Sequence, residues 1–156
     1  MLDTLKEIAG LQLSLLSPVF FENHARKELY RVCADPATGE TDPEKVHEKS
    51  LELANKHMWM LRLNRKLFDF PELATRLHNI ETQAFGTAAG MDKNADALVP
   101  LSYIYGFQTP GTFVLHKREG NAKPRVLVDA ENRTVYNSQG FPSEGMEHAW
   151  ENLLKY

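Results

Sequence analysis

Cysteine is nearly missing from this chain. Cys33 stands alone, so no intrachain disulfide can form, and the composition suits a reducing compartment. Positive charge is not in excess either. Lys and Arg number 18 against 21 Asp and Glu, a formal net charge of -3, which removes the electrostatic footprint of a nucleic-acid partner. No apolar run approaches the roughly 20 residues that span a bilayer. Leu2, Leu5, Ile8, Leu11, Leu15 and Leu16 make an amphipathic opening, but Asp3, Lys6 and Glu7 spoil a secretory signal. Such a stretch suits either a membrane surface or the flank of a protein core. His24, His78, His116 and His148 show no metal-ligand spacing, so no metal site is expected. No internal repeat or low-complexity tract is visible.

What is present divides into two textures within 156 residues, a length that fits one ordinary domain with a substantial core. Residues 1–77 read as helical and amphipathic. Ser17-Pro18 breaks a first helix, and residues 19–32 continue as a second with Phe20, Phe21, Leu29 and Tyr30. A polar loop follows with Asp35-Pro36 and Thr38-Gly39. Asp42-Pro43-Glu44 then opens a longer helix, with Asp42 as N-cap and Pro43 at the first helical position. That helix is expected to carry Val46, Leu51, Leu53, Met58, Trp59, Leu61 and Leu63. The cluster His57-Met58-Trp59-Met60 reads as core or a greasy helix face rather than a ligand site.

From Ile80 onward, short strands and helices alternate. Residues 85–88 suit a buried strand, residues 94–105 a helix, and Thr112-Phe113-Val114-Leu115 a second strand. Val126-Leu127-Val128 and Thr134-Val135-Tyr136 look like a hairpin, and residues 143–156 a closing helix. Alternating strand and helix units argue for a parallel sheet of the barrel or doubly wound kind. One junction stands out. In Phe85-Gly86-Thr87-Ala88-Ala89-Gly90-Met91-Asp92-Lys93-Asn94 a strand runs into small residues, then meets an acid and a lysine. Small side chains admit a flat ligand close to the backbone, and a strand-to-helix junction offers amide donors to anions. Lys93 adds a compact positive charge at the same rim.

These residues carry a family resemblance. Ala88-Ala89-Gly90-Met91-Asp92-Lys93-Asn94, Gly106-Phe107, Gly111-Thr112, Gly120-Asn121 with Lys123-Pro124-Arg125, and Asn137-Ser138-Gln139-Gly140-Phe141 together resemble dihydroorotate dehydrogenase. Asp42-Pro43-Glu44-Lys45-Val46-His47 resembles the helical extension of the quinone-dependent, membrane-associated class 2. The resemblance implies an α/β fold: a helical extension over residues 1–77, followed over 78–156 by the first βα units of a TIM (β/α)8 barrel, incomplete in this chain. A full barrel takes roughly 200 residues or more.

The resemblance also implies roles. Ala89, Gly90, Lys93 and Thr112 would hold FMN. Lys93 would also meet the substrate carboxylate, and Asn137, Ser138, Gln139, Gly140 and Phe141 would line the dihydroorotate/orotate pocket. His47 would lie on the quinone side. The implied activity is oxidation of dihydroorotate to orotate through FMN with a quinone acceptor, in pyrimidine biosynthesis. The catalytic base is expected beyond Tyr156, so no catalytic residue is assigned and the chain alone is expected to be inactive, with the missing C-terminal half as a possible partner. The implied location is peripheral, on the cytoplasmic face of the inner membrane, or the mitochondrial inner membrane in a eukaryote. Val128 stands where the family has an arginine, and Ser138-Gln139 replace the commoner Arg and apolar residue. Another FMN-dependent barrel oxidoreductase, or a truncated non-catalytic paralogue, are the alternative readings.

Overall fold

The structure, a computed structural model, describes residues 26–63, 65, 70–83 and 85–156. The amphipathic opening, the break at Ser17-Pro18 and the start of the second helix lie outside the described residues. Two compact units divide the chain between Ser50 and Leu51.

In the first unit, helix α1 spans Arg26–Cys33. On its exposed surface Arg31 grips Glu28 through both guanidinium contacts, at 2.8 and 2.5 Å. This hydrogen bonding holds the Glu28 carboxyl below its ordinary range. The polar loop after α1 closes through Asp35, whose Oδ1 accepts the backbone N–H groups of Ala37 and Thr38. Helix α2 then runs Pro43–Lys56. Asp42 caps it as expected: its Oδ1 accepts the Glu44 N–H at 2.9 Å, satisfying one of the donors a helix start leaves orphaned.

The expected single helix through Leu63 is interrupted. His57 donates to Leu53 O in the α pattern, but Met60 donates to His57 O, three residues back. The hydrogen-bond ladder slips there, and α3 restarts at Met58–Leu63. His57 and Met60 are buried while Met58 and Trp59 reach the surface, the behaviour of a helix packing on a core.

A hairpin absent from the sequence reading comes next. Strands β1 (Thr75–Leu77) and β2 (Ile80–Thr82) pair antiparallel around His78-Asn79, with His78 at φ 54. The turn lacks the glycine that usually announces such a loop, which is why alternation alone did not reveal it.

Three further expectations are corrected. Strand β3 is shorter than residues 85–88, just Gly86–Thr87, and its parallel partner β4 is Phe107–Gln108. Thr112-Phe113-Val114-Leu115 is not a strand. Gly111, at φ 105, turns the chain out of the sheet direction just before it. Nor is 94–105 one helix: α4 covers only Leu98–Leu101. Ala95 sits at φ 61, which no α-helix accepts, and the Asp92 carboxylate holds the Asp96 and Ala97 N–H groups in the turn that precedes α4. Thus β3, α4 and β4 form one parallel β-α-β unit. Among the described residues there is no closed barrel; the fold is mixed α/β.

The expected second hairpin is present. β5 (Val126–Asp129) and β6 (Thr134–Asn137) pair antiparallel, Val126 opposite Asn137 and Asp129 opposite Thr134. In its turn, the Asn132 side chain and N–H both donate to Asp129, holding that exposed carboxyl below its usual range. The closing helix α5 spans Met146–Leu154. The second unit's core gathers Met60, Leu61, Ala95, Ala97, Leu98, Leu101 and Ala149, so α3, α4, α5 and the turn before α4 share it.

Candidate functional site

Parallel α/β units expose their useful backbone at the carboxyl ends of the strands. Here those ends are Thr87 and Gln108, and the segments that follow are stitched together. Gly90 N–H donates to Gly111 O at 2.7 Å, and Gly111 N–H donates to Asp92 O at 3.0 Å. Gly90 lies at φ 98, and a methyl added there would meet nothing within 4 Å. Bare backbone therefore faces open space at the motif's tightest point.

Asp92 and Lys93 are neighbours with opposite duties. Asp92 is only 2% exposed, its two carboxylate oxygens accepting the N–H groups of Asp96 and Ala97, each at 2.8 Å. The acid is consumed in shaping the turn. Substituting Asp92 with alanine is expected to destabilise the second unit by about 2 kcal/mol, since a buried and a part-buried N–H group lose a charged acceptor. Chemical denaturation checks this, and an unchanged midpoint would show that the backbone holds the turn unaided.

The opposite wall comes from the loop before β5 and the strip after β6. Asn121 N–H donates to Gln139 O at 2.9 Å, and its side-chain Nδ2 donates to Ser138 O at 2.6 Å. Ser138 N–H donates to Arg125 O at 2.9 Å. Beneath them Arg125, 8% exposed, donates from Nη1 to Glu119 O at 2.5 Å and Asn121 O at 2.8 Å. Backbone carbonyls thus receive a buried guanidinium. Outside this wall Lys117 pairs with Glu144 at 2.8 Å. Its amine is raised above the ordinary lysine range by Glu144 first and Glu119 second.

Between the two walls lies a cleft of about 310 Å³, at the small end of the range, about 300–1,000 Å³, for small-molecule sites. The structure brings Ala89, Gly90, Lys93, Thr112, Asn137, Ser138, Gln139, Gly140 and Phe141 to its lining, joined by Gly111, Asn121 and Pro142. Asn121 and Gly111 stand in the motif, yet their place in the lining was not legible there. Among the described residues Lys93 is the one charged member of the lining, and no carboxylate lines the cleft. Among the described residues it forms no hydrogen bond or ion pair. An ammonium group without a counter-ion among the described residues, in a lining of carboxamides and bare backbone, is matched to a flat ligand with an anionic group.

His47 is not in this cleft. It lies half-buried on α2 in the first unit, where its carbonyl accepts the Ser50 hydroxyl at 2.7 Å. A larger cavity of about 630 Å³, bordered by Glu81, Tyr103, Tyr105 and Gln108, contains none of the expected positions. Size alone would favour it; the chemistry favours the smaller cleft.

The dihydroorotate dehydrogenase family model matches residues 72–156. The dihydroorotate dehydrogenase (quinone) of Marinomonas sp. (strain MWYL1) is 38% identical over 114 residues, covering 69% of this chain and 32% of the relative. That of Gloeobacter violaceus is 31% identical over 127 residues, covering 77% and 35%. The chain therefore spans about a third of the length of the curated relatives it matches. Among solved structures, DHODH in complex with ferulenol from Eimeria tenella superposes with a TM-score of 0.65 at 34% identity, over 73% of this chain and 30% of the other. The ligand-free DHODH from the same organism gives 0.52 at 30% identity, over 67% and 31%.

Proposed function

The chain belongs to the dihydroorotate dehydrogenase family, and on that premise we propose that its cleft is one wall of an FMN and orotate pocket. One observation carries the reading: nine positions assigned to cofactor or substrate, scattered between Ala89 and Phe141, line the same cleft.

The lining fits a flat anionic cofactor. At Gly90 bare backbone borders open space, and Thr112 lines the cleft with it. When bound, FMN supplies the hydride chemistry that side chains cannot. The residues of this chain bind and orient. Lys93 neutralises the carboxylate of dihydroorotate, which fixes the direction of its ring in the pocket. The Asn137 carboxamide, donor at one end and acceptor at the other, pairs with a ring amide of the substrate. Phe141, largely exposed, offers an aromatic face for a planar ring.

The whole activity, dihydroorotate to orotate with a quinone acceptor, belongs to this reading by family. So do His47 as a residue on the quinone side and a peripheral seat on the inner membrane. Among the described residues no helix is long and apolar enough to cross a membrane. The 156-residue chain, with one parallel strand pair described, is proposed to bind without turning over. Titration with orotate and FMN, followed in ¹H–¹⁵N spectra, is expected to move the amides of residues 89–93, 111–112 and 137–141. Dihydroorotate oxidation with a quinone acceptor is expected to stay at background. Silent spectra at high ligand would sink the pocket, and enzyme-like turnover would sink the claim that the chain needs more.

A further inference from the structure

The turn that carries Lys93 is held from outside by polar groups that the proposed pocket does not use. Glu144 N–H donates to Asn94 Oδ1 at 3.0 Å. From α5, Asn152 Nδ2 donates to Asp96 Oδ1 at 2.9 Å and to Asn94 O at 3.2 Å. His148 Nε2 lies 2.8 Å from the same Asp96 oxygen, where a protonated Nε2 donates to it. Asn55 at the end of α2 donates from Nδ2 to Asp96 O at 3.0 Å. Inside this ring of contacts Ala95 is 3% exposed and sits at φ 61. A non-glycine residue stays in that region only where its surroundings over-determine it. Each polar contact is partly exposed and weak alone; their value is geometric, since all converge on Asn94 and Asp96, the two residues that flank Ala95.

We propose that Asp96 is a positioning residue for Lys93, the strike plate of a latch by which α5 and the end of α2 fix where the amine enters the cleft. Asp96 does not line that cleft, so it acts through the turn. The consequence for binding rests on the reading of Lys93 as the substrate's counter-ion; the latch itself is tested without ligand.

In the full 156-residue chain, lysines are reductively ¹³C-methylated and the Lys93 signal is assigned from Lys93→Arg. In Asp96→Ala that signal is expected to move toward the shift of solvated lysine, while Lys45, in the other unit, stays put. Asp96→Asn keeps an acceptor for Asn152 and His148 and is expected to restore the native position. An unmoved Lys93 signal in a destabilised Asp96→Ala would make Asp96 merely structural and overturn the proposal. If Asp96→Ala fails to fold, Asn152→Ala carries the same expectation and the same overturning result. Orotate titration then separates the two ideas. Asp96→Ala is expected to weaken binding about tenfold in the parent chain but no further in Lys93→Met, because two residues acting through one group are not additive. A parent chain that ignores orotate sinks the pocket reading and leaves the lysine signal to judge the latch.

Discussion

Substituting Lys93 with methionine is expected to weaken orotate binding by this chain roughly 10- to 150-fold, the worth of one charge-assisted hydrogen bond of about 1.5–3 kcal/mol. Methionine keeps the length and apolar stem of lysine and removes only the charge. The effect is large because the cleft has no second cation to take over. Arginine at the same place is expected to recover only part of the affinity, since a planar fork cannot occupy the position of a compact ammonium. Calorimetry or NMR titration measures the change, with thermal melting to show that the fold is intact. Methionine binding as well as lysine would remove Lys93 from the role of counter-ion, and with it the main argument for an anionic ligand.

Gly120→Ala is expected to lower stability by about 3 kcal/mol, combining a disfavoured backbone region with overpacking. For a unit of this size that is a fall in Tm on the order of 15 °C. Gly120 lies at φ 80, and an added Cβ would stand 2.2 Å from Gln139 O and 2.7 Å from Arg125 Nη1. Neither neighbour can step aside cheaply. Gln139 O receives the Asn121 N–H, and the same Arg125 nitrogen donates to carbonyls of the loop. The wall of the cleft would have to come apart to admit one methyl group. Gly90→Ala makes the contrast: with nothing within 4 Å, it bears only the backbone cost of a side chain at positive φ, about 1–2 kcal/mol. Circular dichroism melts of the two variants check this, and equal Tm values would show that the 120–139 contact yields more easily than its geometry implies.

The parts of the fold legible in the sequence are those decided over a few residues. Asp42-Pro43 announces a helix start because the cap bond reaches only to Glu44. The alternation of Val126-Leu127-Val128 against Thr134-Val135-Tyr136 announces a hairpin because its turn lies between them. The parallel pair was harder. Two-residue strands carry no alternation to read, and Gly106-Phe107 looks like the end of a helix until Gly106 N–H is seen donating to Phe85 O. The stretch after Asn94 has good helical composition, yet Ala95 sits at φ 61 in a turn built around the buried Asp92 carboxylate. That turn depends on the burial of Asp92, which composition does not display.

The candidate site divides along the same line. The residue types that suit a flat anion, and the family to which they belong, were determined by the sequence alone, because the motif keeps glycine, lysine and carboxamide at short fixed spacings. That Lys93, Thr112 and Asn137 line one cleft was decided only by tertiary structure. It depends on hydrogen bonds between residues far apart in the chain: Gly90 with Gly111, Asn121 with Gln139, and Glu144 with Asn94. Asp92 turns inward because the Asp96 and Ala97 N–H groups meet its carboxylate there, while Lys93 has no counter-ion among the described residues.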